Sequence, residues 1–407
     1  MVKEYFVKCF FYIVLVSYAA LITKTSLFYI SHPIYLYQTD LMNFITGAMV
    51  IKEGKAKDLY NDKTQLYYQN KVTYPYEKHI LLPFRNIPLV GFLYIPFTYM
   101  SLKAATMSIF VVNLGLLILF YKLFTSNVSG LSESKQLLVL TFVYWPSVAT
   151  LISGQIMGLI LIIFALIFFT LVKKKYTLMG VLAALLFIRP QTLLILPLLL
   201  VMVKNKKKFL VGFILSGLII FMLNIYISGI NVILGYPKFV FSIENAFFDG
   251  RLSDVSSVYF TIRKLFPLMG SSVLFLLNSL LYLFFIIIFF LKRKSLSLIM
   301  GYSASLLITL LFSIHMLSHD LIILLIPIYS ILSENTKKPI NIYQNKLVLL
   351  LFFTPFFYLI GVPTATTFSL LFILFYFIFP DFYKNIFSAG LRAKKSLLKY
   401  LKPNWKL

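Results

Sequence analysis

Long apolar runs recur from one end of this chain to the other, and they constrain its fold more than any other feature. Each run has about 17 residues or more, which is enough for a helix to cross a bilayer. Of the 407 residues, 60% are hydrophobic, whereas soluble domains are about 45–50% apolar. A transmembrane β-barrel would show short segments of alternating polarity instead. The sequence therefore predicts an all-α polytopic membrane protein.

The basic residues give the chain a net charge of +25, and they are not spread evenly. They form short blocks between the apolar runs, at residues 173–175, 204–208, 292–294, 337–338 and 392–406. Short loops rich in Lys and Arg stay in the cytoplasm and attract anionic lipids. No nucleic-acid recognition module accompanies the charge. We therefore predict membrane lipids as partners, and no nucleic acid.

Placing these blocks inside the cell predicts the topology. The first apolar run, 9–30, is predicted to stay in the mature protein as a helix that crosses from the cytoplasm outward, although residues 1–25 also resemble a signal peptide. Later spans are predicted near 208–228, 272–291, 295–314, 319–333, 346–361 and 363–380. The external face then receives 31–86, 229–271 and 313–320, and 335–407 forms C-terminal helices with a basic cytoplasmic tail. We predict one integral membrane domain over residues 1–407, with about 11–13 spanning or half-spanning helices.

Two segments are too short for simple spans. Residues 175–204 must leave the cytoplasmic side and return to it, which favours two half-length helices meeting at "RPQ", 189–191. Pro190 lacks an N–H group and disfavours helix at the preceding residue. Broken helices at membrane depth normally line a cavity. The segment 86–100, interrupted by two prolines, is predicted to be re-entrant.

Acidic residues are scarce, at 13 in the whole chain. Most fall in the predicted external segments: Asp40, Glu53, Asp58, Asp62, Glu77, Glu244, Asp249, Asp254 and Asp320. Asp40 precedes apolar residues at helical spacing, namely Leu41, Phe44, Ile45, Ala48 and Met49, and Gly54 is placed to end that helix. The pattern predicts an amphipathic helix on the membrane surface. Asp40 is then its N-cap, a catalytic base, or both.

Other polar residues interrupt the apolar runs. Arg189 stands between "LLFI" and "TLLIL", where an unpaired charge would cost at least ~2.5 kcal/mol. It either faces a polar cavity or ties down the broken helix. His315 and His319 are four residues apart. This spacing suggests zinc or simple interfacial packing, but the third zinc ligand would be remote or strained, and we predict no metal. Gln155 either binds a ligand or caps its helix. Trp145 and most tyrosines are read as interface-belt residues.

Five segments in order resemble one family. "TDLMNFITGAMVIKEGKAKDLYN" is similar to the first-loop signature of the polyprenol-phosphate-mannose-dependent mannosyltransferases, glycosyltransferase family 87 of the GT-C superfamily. "SGQIMGLIL", "FIRPQTLLILPLLL", "SSVYFTIRKL" and "SIHMLSHDLIILLIPIY" resemble later segments of that family. Arg189 stands where Lys is commoner, and Ile314 replaces a proline. The resemblance covers residues from about 30 to 330, and 335–407 carry no matching motif.

The resemblance implies a GT-C fold and an inverting glycosyl transfer at the extracytoplasmic face of the cell membrane. The donor would be a polyprenyl-phosphate sugar, most often mannose, and the acceptor a lipid or glycan, with no cofactor. The family's base maps onto Asp40. A lipid-phosphate leaving group needs positive charge and hydrogen-bond donors held in place. Candidate residues for binding the donor phosphate or sugar are Arg85, Gln155, Arg189, Gln191, Arg263, His315, His319 and Asp320.

Two other classes remain open. A lipid-linked-sugar flippase or another transporter would also have many spans and intramembrane charge. No inverted repeat is visible, however, and the long acid-bearing first loop suits a site at the membrane surface. A non-catalytic scaffold would leave the placement of Asp40, Arg189 and the histidines unexplained.

Overall fold

The computed structural model describes residues 39–75, 81–128, 131, 135–251, 255–334 and 346–379, with scattered positions between 16 and 31. Regular structure in these ranges is helical, which confirms the predicted all-α class. The α-helices are α1 Leu41–Lys52, α2 Asp62–Thr73, α3 Pro88–Leu93, α4 Leu102–Asn127, α5 Lys135–Val143, α6 Trp145–Ser153, α7 Met157–Val172, α8 Tyr176–Ala184, α9 Leu196–Met202, α10 Lys206–Ser228, α11 Ile230–Arg251, α12 Val258–Leu265, α13 Ser271–Lys292, α14 Leu298–Phe312, α15 Leu325–Glu334, α16 Lys346–Phe353, α17 Phe356–Leu359 and α18 Pro363–Ile378. Shorter 3₁₀ turns cover Ala56–Asp58, Ile95–Tyr99, Leu185–Ile188, Pro190–Ile195, Arg293–Ser295 and Ser318–Leu324.

Three of the described helices, α4, α10 and α13, are long and apolar enough to cross a membrane. Helices α5 and α6 are bent by 55° relative to each other, and together they would form a fourth span if the pair crosses as one broken helix. Apolar side chains cover the outer faces of the long helices; Val111, Leu215 and Leu276 are each more than half exposed. Such surfaces suit lipid contact, and they agree with the predicted membrane class. The spans predicted at 208–228 and 272–291 correspond to α10 and α13, while most of 9–30 and the basic tail lie outside the described residues.

The inner helices are shorter than the outer ones. In α7 and α14, with 16 and 15 residues, nearly every side chain is buried in the protein. The span predicted at 319–333 begins as a 3₁₀ turn and continues as α15, and the one at 346–361 is divided into α16 and α17 at Pro355. Interrupted backbone is tolerated at membrane depth where protein rather than lipid surrounds it.

The predicted break at "RPQ" is confirmed. Helix α8 ends at Ala184, and Arg189 separates two 3₁₀ turns with a non-helical backbone, φ −133° and ψ 84°. Helix α9 then returns toward the basic block. The segment 86–100 is also divided, into α3 and the turn Ile95–Tyr99.

Two glycines fix the position of the helix that leads into this break. A Cβ on Gly180 of α8 would lie 2.0 Å from the carbonyl oxygen of Phe209, and one on Gly212 of α10 would lie 2.1 Å from that of Thr177. The two backbones therefore touch, which only residues without a side chain permit. This contact anchors α8 against a membrane-spanning helix and thereby anchors Arg189.

The helix predicted after Asp40 is present as α1, and Gly54 ends it as predicted. Gly54 has φ +72°, and Lys55 N–H donates to the Val50 carbonyl at 3.0 Å, as in a Schellman motif. Protein encloses α1 on most sides. Besides the apolar stripe, Met42, Thr46 and Val50 are buried, because α1 packs between α2, α3 and the following turns.

Helix α2 is attached to α1 by polar contacts. Tyr68 and Lys71 donate hydrogen bonds to the two Glu53 carboxylate oxygens at 2.7 and 2.8 Å. These bonds lower the pKa of the Glu53 carboxyl below its ordinary value. The buried Gln65 donates to the Leu59 carbonyl at 2.8 Å and accepts from Phe84 N–H at 2.6 Å. The first loop is thus a folded layer beside the membrane helices.

Candidate active site

A cavity of about 1070 Å³ opens between the first loop and the interrupted helices. Its walls come from the start of α1, one face of α6, the break around Arg189, helices α11 and α13, and residues 312–319. Typical small-molecule pockets measure about 300–1,000 Å³. The cavity is therefore large enough for a sizeable ligand, and both polar and apolar side chains line it.

Asp40 lines the cavity, and its side chain is not a helix cap. It occupies the N-cap position of α1, but its backbone is helical, φ −63° and ψ −23°, and its carboxylate makes no capping hydrogen bond. Oδ2 instead accepts a hydrogen bond from Gln155 Nε2 at 2.6 Å. Within the described part of the chain, Oδ1 has no hydrogen-bond partner. The N-cap interpretation is therefore wrong, and one carboxylate oxygen is left for chemistry.

Arg189 is 6% exposed and lies among polar groups at the floor of the cavity. Its Nε and Nη2 donate to Asp320 Oδ1 at 2.9 and 2.7 Å, and its Nη1 lies 3.4 Å from Gln155 Oε1. Nη2 is also 3.2 Å from His319 Nε2. Because a guanidinium only donates, His319 accepts here in its neutral Nδ1-protonated form.

Asp320 lies behind Arg189 rather than in the cavity wall. Its Oδ1 receives Arg189, and its Oδ2 accepts from the Leu317 N–H group at 2.8 Å. Asp320, predicted to contact donor sugar or phosphate, is thus paired with Arg189 and does not line the cavity. The carboxylate is enclosed by the arginine that it neutralises, and it holds the turn that carries His319.

Three other predicted residues line the cavity: Arg85, Gln191 and His315. The Arg85 carbonyl accepts a hydrogen bond from Tyr236 of α11 at 2.8 Å, and Gln191 Nε2 donates to the His315 carbonyl at 3.4 Å. Arg263 does not line it, so the structure does not bring this predicted residue to the site. Its helix, α12, buries its first turn, and Arg263 lies in the last one.

Sequence reasoning missed other residues that line the cavity. Asn43, one turn after Asp40, and Asn86, next to Arg85, both line the cavity. Trp145 was predicted in the interface belt, but it lines the cavity with Ala149 and Ser153 on one face of α6. Pro146 could have pointed to the position of Trp145. A proline in the first turn marks the start of a helix, so Trp145 begins a new helix at the bend between α5 and α6.

Part of the cavity lining is apolar. Leu193, Leu194 and Pro197 follow the Arg189 break, and they line the cavity together with Phe241 of α11 and Phe275 of α13. The two phenylalanine rings meet edge to face with their centroids 5.8 Å apart. They are 50% and 42% exposed.

Among the residues that the structure describes, no three potential metal ligands come together. His319 contacts the Arg189 guanidinium, whose charge opposes a cation on the same ring.

The sequence model of glycosyltransferase family 87 matches residues 84–318. The match includes Gln155, Arg189 and His315, whereas Asp40 precedes it and is joined to it through the hydrogen bond from Gln155. No curated protein and no solved structure matches the chain.

Proposed function

This chain belongs to glycosyltransferase family 87, and we propose that it transfers mannose from a polyprenyl-phosphate donor to a lipid or glycan acceptor. The membrane-spanning helices make it a membrane glycosyltransferase. Family membership favours the transferase over the flippase alternative. We propose that the reaction takes place at the external face of the cell membrane, because we assign the basic blocks between the spans to the cytoplasm.

The mixed lining of the cavity supports an amphiphilic donor. A polyprenyl-phosphate sugar has a charged, hydroxyl-rich head and a hydrocarbon tail, and it needs both environments in one site. Asp40, Arg85 and Arg189 belong to the polar part of the lining, while Phe241 and Phe275 belong to its apolar part. We propose that the phosphate binds near Arg189 and that the tail lies against the apolar part of the lining.

The chemistry that we propose is a single displacement with inversion. Asp40 Oδ1 takes the proton of the acceptor hydroxyl, whose oxygen forms the new bond to the anomeric carbon. The bond from that carbon to the phosphate oxygen breaks, and its electron pair leaves with the polyprenyl phosphate. Arg85, Arg189, Gln191 and the two histidines supply positive charge or hydrogen bonds to this anion. The leaving group needs no proton from a second acid, and the reaction needs no cofactor.

One observation carries the proposal. A first-loop carboxylate, free of any capping role, is hydrogen-bonded to Gln155 and through it to a buried arginine in an amphiphilic cavity. In a merely structural interpretation, the carboxylate would be used to hold the helix N-terminus.

The test is transfer of labelled mannose from polyprenyl-phosphate mannose in nanodiscs, with Asp40→Asn compared with wild type. The Asn side chain has the same shape and can still accept the Gln155 hydrogen bond, but it cannot take a proton. We expect the rate to fall by about 10²–10⁴-fold at an unchanged melting temperature. Asp62→Asn, an exposed first-loop acid outside the cavity, is the matched control and should keep wild-type activity. An Asp40→Asn protein with more than about half the wild-type rate would remove Asp40 as the base.

A further inference from the structure

Gln155 lies between the two charged side chains that the proposed reaction uses. Its Nε2 is 2.6 Å from Asp40 Oδ2, and its Oε1 is 3.4 Å from Arg189 Nη1. A carboxylate only accepts hydrogen bonds and a guanidinium only donates them, so the amide has a single orientation. The residue is 4% exposed. Both ends of its side chain are therefore engaged with protein groups.

The backbone around Gln155 is held from three sides. Gly154 adopts φ +71°, and a Cβ there would lie 2.8 Å from Leu41 Cβ, so a side chain would push α1 away. The Gly154 carbonyl accepts from the Tyr94 hydroxyl at 3.0 Å. The Gln155 carbonyl accepts from Asn113 Nδ2 at 3.0 Å. The amide is thus presented to Asp40 by rigid elements and not by a free loop.

We infer that Gln155 is a positioning residue for the base. It engages Asp40 Oδ2 and thereby turns Oδ1 toward the place of the acceptor hydroxyl. The contact to Asp40 is the stronger of the two, because hydrogen bonds weaken beyond about 3.2 Å and the contact to Arg189 is longer than that. The main effect of Gln155 is therefore on the orientation of Asp40, and its link to Arg189 is weaker. The inference rests on the proposed function, because it assigns the base role to Asp40.

This role predicts a particular kinetic change. Leucine is similar in size to glutamine and removes both hydrogen bonds, so Gln155→Leu releases the carboxylate without opening a large cavity. We expect kcat to fall by about 10- to 100-fold, the range for misplacing a reacting group by about 1 Å. The KM for the donor should change little. A residue that binds a sugar hydroxyl would mainly raise KM instead.

A double-mutant cycle tests the route of the effect. If Gln155 acts through Asp40, Gln155→Leu should lower kcat in the wild-type background and leave it unchanged in Asp40→Ala. Thermal midpoints of the same four proteins should be non-additive as well, because the hydrogen bond can be lost only once. Gln65→Leu is the control: it removes a buried glutamine that bridges Leu59 and Phe84. It should lower the midpoint while kcat per folded molecule stays at the wild-type value.

The two readouts separate the possible failures. Additive kcat losses, or a rise in donor KM at constant kcat, would mean that Gln155 contacts the substrate itself and would overturn the inference. Additive thermal midpoints would show that the Asp40 bridge is not made in solution, and they would overturn it too. If the wild-type protein transfers no mannose, the proposed function fails. Non-additive midpoints would then still support the bridge to Asp40, and additive ones would count against it.

Discussion

Neutralising Arg189 or Asp320 should have unequal effects, because only one partner of this ion pair lines the cavity. The two side chains are buried to nearly the same degree, with 7% and 6% exposed, but Arg189 is part of the cavity lining and Asp320 is not. In Arg189→Gln the Asp320 carboxylate keeps its bond from Leu317 N–H but loses two hydrogen bonds from a cation at 2.7 and 2.9 Å. A buried charge that loses its partner costs about 3–5 kcal/mol. In Asp320→Asn the remaining guanidinium can still be hydrated from the cavity, so we expect a smaller loss.

The double variant distinguishes charge pairing from catalysis. Arg189→Gln combined with Asp320→Asn replaces two buried charges by two neutral amides of similar shape. Its stability should exceed that of Arg189→Gln alone, with a coupling energy toward the upper end of the usual range of about 0.5–3 kcal/mol. Transfer activity should not return, because the phosphate has lost its cation. Losing one such donor costs about 10²–10³-fold in rate.

The assay measures thermal midpoints and initial transfer rates for all four proteins in nanodiscs of one lipid composition. The expected order of midpoints is wild type, Asp320→Asn, the double variant and Arg189→Gln, from highest to lowest. A double variant with wild-type activity would refute the role of Arg189 at the phosphate. Equal midpoints for the two single variants would refute the argument that the cavity can hydrate the unpaired Arg189 guanidinium but not the unpaired Asp320 carboxylate.

Two further predictions concern packing and topology. Gly212→Ala should lose about 1–3 kcal/mol of stability by overpacking, because its Cβ would lie 2.1 Å from the Thr177 carbonyl oxygen. Gly217→Ala on the same helix is the control, since its Cβ would meet only Phe187 at 3.5 Å. Equal thermal midpoints for the two variants would contradict the close helix contact. In a cysteine-free background, Lys63→Cys should react with an impermeant maleimide in intact cells, whereas Lys206→Cys should react only after permeabilisation. The reverse pattern would contradict the external placement of the first loop.

Much of the fold could be predicted because apolar run length and proline chemistry act locally. The spans at α10 and α13 and the break at Pro190 follow from a few neighbouring residues each. The lengths of the inner helices could not be predicted this way. An apolar run contains no information on whether lipid or protein surrounds it, and α14 is enclosed by other helices where the sequence predicted a span.

The site was predictable as a set of residue types and not as an arrangement. Asp40 and Gln155 are separated by 115 positions, and Arg189 and Asp320 by 131. Only tertiary packing decides that Asp320 stands behind the arginine and that Arg263 stays away from the cavity. The helix-capping interpretation of Asp40 failed for the same reason. Local sequence rules place the carboxylate at the helix N-terminus, but it accepts its hydrogen bond from an amide that is distant in sequence.

Several polar groups of the site, namely Asp40, Gln155, Arg189 and His319, lie where a helix begins or is interrupted. Ending a helix at the cavity frees backbone groups that must be paired away from lipid. Side chains pair them here: Tyr94 with the Gly154 carbonyl, Asn113 with the Gln155 carbonyl, Thr192 with the Arg189 carbonyl and Asp320 with the Leu317 N–H group. The long helices α4, α10 and α13 present apolar side chains outward, whereas the charged Arg189 and Asp320 are buried in protein, which is where charge is tolerated in a membrane protein.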